Sequence, residues 1–247
     1  MKHLIDMHCH ILPQVDDGAE DVNESVNLLR LEKEQNVDRI ICTPHFRVGM
    51  FETPQSKIEE QYAKLCLLEK EMNLGISLFL GCEYHSNINM VNDLNEKIRP
   101  SMAHSKFVLV EFSSQHTYTQ IRRQIYDLVM AGWIPIIAHV ERYPAMMKNL
   151  DNVRECKSLG AYIQITSGAV LGKMGWMLRK YCKKLIQLDL VDFIASDTHN
   201  TKNRKPDLGD CATYLEKKYG SDYVYRLCIE NPEMMLGGYE THANNLY

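Results

Sequence analysis

Six short apolar runs in this sequence each finish on a histidine or a carboxylate, and endings of that kind are the raw material of a metal site. The runs close at His8-x-His10, His45, Glu83, Glu111, His139 and Asp197-x-His199. On a strand, side chains two residues apart share a face, so each H-x-H or D-x-H pair can present two donors to one ion. The loop after the first run adds Asp16-Asp17-Gly18, either carboxylate of which could reach the rim. Each ending alone has an ordinary role as a core histidine, a helix cap, a turn or an ion-pair partner. Carboxylates meeting in one mouth, however, repel and must largely protonate unless cations neutralise them. Six endings in register point to a polynuclear metalloenzyme.

The elements that must position these groups are legible from periodicity. A short apolar run bounded by turn residues reads as a strand buried on both faces, and parallel barrels carry their catalytic groups at the carboxyl ends of such strands. A seventh run, Ala161 to Thr166, supplies no obvious ligand. Helical spacing appears at Val22 to Gln35, Ser56 to Met72, Gln120 to Ala131, Val153 to Leu159 and Trp176 to Leu188. The stretch Leu208 to Gly238 reads as two closing helices. The expected fold is α/β, a distorted barrel of seven β/α units forming one domain over residues 1–247, with the site at the carboxyl ends of the strands. Asp6 is expected on the face of His8 and His10, deeper, as an orienting group. His85 should approach the rim, while His3, His104, His116 and His242 read as surface or capping residues.

Composition narrows the function classes. A formal charge of −4 and a pI near 6.2 argue against a broad phosphate-backbone footprint, so nucleic acid is disfavoured. No apolar run reaches membrane-spanning length, and the first strand begins too early to leave room for a signal peptide. The eight cysteines are scattered without a C-x-x-C pair, which reads as reduced, buried thiols of a cytoplasmic enzyme. G-x-S-x-G, P-loop and H-E-x-x-H motifs are absent.

At this point the chain resembles the PHP (polymerase and histidinol phosphatase) superfamily, and within it the bacterial capsular-polysaccharide metal-dependent protein-tyrosine phosphatases. The resemblance runs from Asp6-Met7-His8-Cys9-His10 and Val15-Asp16-Asp17-Gly18 through Thr43-Pro44-His45 and Gly81-Cys82-Glu83. It continues at Glu111, Ala138-His139-Val140-Glu141-Arg142-Tyr143 and Ser196-Asp197-Thr198-His199-Asn200. The carboxylates at Asp17 and Glu111 favour the tyrosine-phosphatase branch over others that use histidine where Asp17 stands.

The resemblance implies three divalent ions, manganese by family habit, with iron or zinc as alternatives. The first would take His8, His10, Glu83 and Asp197; the second Glu83, Glu111 and His139; the third Asp17, His45 and His199. This set has no thiolate, unlike a structural zinc site. Three such ions against four carboxylates leave a positive balance that suits a phosphate monoester. The implied reaction is in-line attack by a metal-bound hydroxide, with Arg142 and Arg204 as phosphate clamps. No cysteine begins a Cys-x5-Arg loop, which excludes the thiol-based phosphatase mechanism. The implied partner is a bacterial tyrosine kinase of polysaccharide export. Rival readings are a histidinol-phosphate-type small-molecule phosphatase, a PHP exonuclease and a silent PHP scaffold; a scaffold would be expected to have lost ligands, and here none is missing.

Overall fold

A computed structural model describes residues 3–243, with the side chains of residues 238–243, His242 among them, outside the description. Among the described residues nine strands occur: β1 Leu4–Cys9, β2 Val37–Cys42, β3 His45–Phe46, β4 Ser77–Leu80, β5 Glu83–His85, β6 Phe107–Glu111, β7 Ile134–Ile137, β8 Tyr162–Thr166 and β9 Phe193–Ala195. Every pairing between them is parallel, in the orders β1-β2-β4 and β3-β5-β6-β7-β8-β9. A parallel bridge between Cys9 and Thr198, with the His10 amide donating to the Thr198 carbonyl, ties β1 to the segment leaving β9. Joined through that bridge, the curled sheet has the seven β/α units expected from the sequence.

Two of those units are broken in the middle. The second run splits into β2 and β3 at Thr43-Pro44, where the proline has no N–H for the ladder. The third splits into β4 and β5 at Gly81-Cys82. A Cβ on Gly81 would stand 3.0 Å from both Ile41 Cγ2 and Met102 Sδ, so a larger residue there would have to displace one of these side chains. Amide–carbonyl bonds from Gly81 to Cys42 and from Glu83 to Pro44 carry the two strands across the break. The consequence is local: His45 and Glu83 begin new short strands, paired with each other, instead of ending old ones.

Helices cover the outside: α1 Val22–Glu34, α2 Gln55–Met72, α3 Met90–Asn95, α4 Tyr118–Met130, α5 Pro144–Lys148, α6 Leu150–Ser158, α7 Ser167–Leu171, α8 Trp176–Gln187 and α9 Leu208–Tyr219. After α9, α10 Ser221–Tyr225 and α11 Asn231–Ala243 are joined by one π-helical stretch, Arg226–Glu230. Helix α4 starts earlier than its apolar spacing suggests. Thr117 accepts from the Gln120 amide and the Gln120 side chain answers the Thr117 amide, a capping box that sets the first turn. The lower barrel is filled by Ile5, Met7, Ile41, Leu109, Ile136 and Phe193 and plugged by Met102 and Met235. A packed floor leaves only the carboxyl ends of the strands open for chemistry. No helix among the described residues is long and apolar enough to cross a membrane.

Candidate metal centre

Strand β1 carries a bulge. Asp6 pairs with Ile40 and Cys9 with Cys42, so Met7 and His8 together oppose Ile41. The extra residue reverses the facing of everything before it. Ile5 and Met7 fill the barrel floor, while His8 and His10 point into the mouth above it. Asp6 therefore lies on the other face from the two histidines, correcting the expectation that it shares theirs. It clusters with Cys9 and with Glu32 of α1, and burial followed by repulsion from Asp6 pushes the Glu32 carboxyl well above its ordinary range. Its orienting role survives by another route: Asp6 Oδ1 accepts from the amides of His8, at 3.3 Å, and Ser196, at 3.1 Å, clamping β1 to β9.

The first expected ligand set is assembled around Glu83. His8 Nε2 and His10 Nε2 each lie 3.1 Å from Glu83 Oε2, and 3.4 and 3.6 Å from Asp197 Oδ1. For the second set, His139 Nε2 is 2.8 Å from Glu83 Oε1 and 3.8 Å from Glu111 Oε1. For the third, Asp17 Oδ1 is 3.5 Å from both His45 Nε2 and His199 Nε2. His45 faces two ways, since its Nδ1 is also 3.0 Å from Glu83 Oε2. Asp197 and His199 are not strand residues as expected: β9 ends at Ala195, and Asp197 has a left-handed backbone, φ 57°. His139 is left-handed too, φ 32°. Such conformations cost on the order of 1–3 kcal/mol each and persist only where the surroundings over-determine them.

The loop Asp16-Asp17-Gly18 divides its labour. The buried Asp16 accepts from His10 Nδ1 at 2.7 Å and the His45 amide at 2.9 Å, whereas the half-exposed Asp17 reaches His45 and His199. Gly18 makes this possible, because a Cβ there would fall 2.1 Å from the His10 carbonyl oxygen. Gly18→Ala should therefore push the loop outward and pull Asp16 off His10. Displacement of about 1 Å at a reacting centre can remove ~10²-fold in rate. We expect at least about tenfold lower kcat/KM together with reduced bound metal, read by elemental analysis of the purified variant; wild-type metal content and rate would contradict the loop's assigned role.

The donor set fits divalent ions. Donors sharing an ion at about 2.1 Å stand roughly 3.0 Å apart in an octahedron and about 3.4 Å in a tetrahedron, and the separations here, 2.8 to 3.8 Å, bracket both. His8 Nδ1 meets Gln164 Oε1 at 3.4 Å and His10 Nδ1 meets Asp16, so both rings direct their Nε2 lone pairs inward, 3.1 Å apart. His199 Nδ1 donates to the Asp197 carbonyl, which aims its Nε2 lone pair at Asp17, acceptor against acceptor. Without cations the polypeptide must put protons between these atoms. Burial opposes charge on His10, yet Asp16 and Glu83 outweigh it and lift the ring to about 10. Glu111 is pushed up to about 7 by burial and by Glu83.

The segment His139-Val140-Glu141-Arg142-Tyr143 distributes four tasks along one 3-10 turn. The Tyr143 hydroxyl bridges the Phe112 amide and His139 Nδ1, fixing the ring. Glu141 turns inward and takes the amide and hydroxyl of Thr166, at 3.0 and 2.6 Å, latching the turn to β8. Arg142 points to the mouth and pairs with Asp197 Oδ2, which also accepts from Arg204 Nη2 at 2.7 Å. Gln164 was overlooked in the sequence: its Oε1 accepts from the His139 amide at 2.7 Å as well as facing His8. The signal for it is a fully buried amide inside an apolar run. His85 lies near His116, ring centres 6.3 Å apart, and pairs in register with Glu111. His3 and His104 are exposed and His116 is half-buried.

The sequence profile of the capsular polysaccharide synthesis family CpsB/CapC matches residues 4–237. The chain belongs to this family. It is 34% identical over 238 residues to the tyrosine-protein phosphatase CpsB of Streptococcus pneumoniae, covering 94% of this chain and 98% of that one. Against the tyrosine-protein phosphatase YwqE of Bacillus subtilis (strain 168), identity is 33% over 233 residues, with 94% and 91% covered. A chain from the crystal structures of YwqE and CpsB, described as unique metal-dependent tyrosine phosphatases, superposes with a TM-score of 0.89 at 33% identity, covering 95% of this chain and 94% of that chain. The fold alone extends further, to a histidinol phosphate phosphatase of Lactococcus lactis at 15% identity and a TM-score of 0.57, with 89% and 95% covered. The family inferred from the motifs is thus the family found.

Proposed function

We propose that this CpsB/CapC family member hydrolyses phosphotyrosine in proteins with divalent metal ions held by His8, His10, Asp17, His45, Glu83, Glu111, His139, Asp197 and His199. The observation that carries this reading is a cavity of about 190 Å³ over these groups. Arg142 and Arg204 stand on its edge, and Phe51 and Met50 line it too. Phe51 stacks on His45 at 5.0 Å, giving an aromatic ring a surface to lie against. Metal ions bound there supply charge neutralisation and an acidified water. The chain's own part is to hold the phosphate: Arg142 and Arg204 can exchange Asp197 Oδ2 for phosphoryl oxygens, bidentately and without losing charge.

The leaving group follows from what the cavity lacks. His85 would be the nearest unassigned acid, but burial pushes it down to about 4 and it lies outside the cavity, so it carries no proton to give at neutral pH. A tyrosine phenol, with a pKa of about 10, departs without protonation, whereas a serine alkoxide does not. Phosphotyrosine peptides should exceed phosphoserine peptides by at least about tenfold in kcat/KM, roughly 1.4 kcal/mol of barrier. Equal rates on the two, or faster turnover of histidinol phosphate, would transfer the assignment to the small-molecule reading.

Three ions, manganese for preference, are part of the proposal, as is a tyrosine kinase of capsular polysaccharide export as the substrate protein. Nine protein donors and one shared carboxylate support three sites over one. A cytoplasmic location fits the eight free cysteines, all but the half-buried Cys66 inside the core. Metal stoichiometry of the purified protein tests the first of these directly.

A further inference from the structure

Beside the catalytic cavity lies a larger recess of about 610 Å³. Arg142, Asp197 and Arg204 border both, so the two spaces meet across one arginine–aspartate–arginine partition. The recess is lined by five cationic side chains, Arg142, Lys173, Lys202, Arg204 and Lys205, against two carboxylates, Asp197 and Asp207. The carboxylates are already satisfied: Asp197 by the two arginines, Asp207 by Lys173 at 3.0 Å and by the Ser167 hydroxyl. The balance is +3, and two of the five cations have no carboxylate partner. The exposed Lys202 and Lys205 have no side-chain hydrogen bond or ion pair among the described residues.

These lysines are presented by an organised loop. Asn200 Oδ1 accepts from the amides of Lys202, Asn203 and Arg204 at 3.0, 2.9 and 3.2 Å, and the His199 amide bonds the Arg204 carbonyl at 2.9 Å. The loop is therefore tied directly to the ligand candidate His199. On a chain of net charge −4, an uncompensated cationic recess opening onto the reaction cavity runs against the average field. It concentrates anionic partners at that one point.

We propose that this recess is a subsite for an anionic side chain of the substrate protein, an aspartate or glutamate near the phosphotyrosine. The inference rests on the phosphotyrosine reading above and adds a substrate preference to it. With the phosphoryl group held at the partition, the peptide runs over Lys202 and Lys205. An extended peptide advances about 3.3 Å per residue, which places residues roughly two to four positions away within such a recess.

The test compares two phosphotyrosine peptides, one with glutamates two to four positions to either side and one with glutamines there. Wild-type enzyme, metal-loaded, should favour the glutamate peptide by about tenfold in kcat/KM, mainly through KM, with the preference shrinking as salt rises. The double variant K202E/K205E should lose or invert that preference while its turnover of p-nitrophenyl phosphate stays within about twofold of wild type. An equal glutamate preference in wild type and variant would overturn the subsite, as would no preference in wild type, and either result leaves the phosphatase reading standing. Failure to turn over either peptide would overturn both.

Discussion

Stripping divalent metal is expected to abolish turnover completely, and manganese should restore it better than magnesium. The expectation comes from the donors: five imidazoles and four carboxylates meet with facing lone pairs and shared carboxylate oxygens. Magnesium prefers an all-oxygen octahedron and sheds water reluctantly, so a histidine-rich set selects against it. Full activity in a preparation verified metal-free would refute the site. The sharing of Glu83 adds an asymmetry. Its Oε2 faces His8, His10 and His45 while its Oε1 faces His139. Glu83→Ala should deplete two ions per chain, His45→Ala chiefly the one nearest Asp17. Equal losses from both substitutions would show the bridging role to be misplaced.

The second large effect is expected at the partition. Alanine at Arg204 or Arg142 should lower kcat/KM on every phosphomonoester by about 10²-fold, the scale of losing one preorganised charge contact to the transition state. Bound metal should stay at its wild-type level, because neither guanidinium donates to an ion. The double variant should fall by less than the product of the single effects, since both side chains share Asp197 Oδ2 and act as a unit. Loss of metal in either single variant would mean that the arginines chiefly hold Asp197 in place and would remove them from the phosphate.

How much of this was written in the sequence depends on how local the determinant is. His8-x-His10 is legible because strand alternation makes a two-residue spacing a shared face. Asp6 misled for the same reason: one bulge between Asp6 and Cys9 reverses the count, and nothing in the residue types announces a bulge. Asp197-x-His199 reached the right neighbourhood with the wrong backbone, because its geometry comes from the left-handed Asp197 and the bridge at Thr198. The breaks at Pro44 and Gly81 had visible signals, a missing N–H and a missing Cβ, but their effect on His45 and Glu83 needed the neighbouring strands. Asp16 and Asp17 could not be told apart until Gly18 was seen against the His10 carbonyl. Gln164 and Tyr143 are matters of tertiary contact alone. Gln164 reaches His8 and His139 from a strand distant in sequence, and Tyr143, four residues past His139, is fixed against its ring by the Phe112 amide.

The buried thiols bear on how this enzyme can be told apart in a living cell. Cys9 lies between His8 and His10 in sequence but faces Glu32 of α1, and burial, followed by repulsion from Glu32 and Asp6, pushes its thiol well above the range where thiolate forms. Cys42 and Cys82, next along the strand ends, are held up by burial as well. Peroxide and alkylating agents attack thiolates, so reagents that silence cysteine-dependent phosphatases find no target at this mouth. An oxidative burst that lets phosphotyrosine accumulate elsewhere would leave this hydrolysis running. In a crude extract, the phosphotyrosine turnover that survives iodoacetamide and vanishes with a chelator belongs to enzymes built this way.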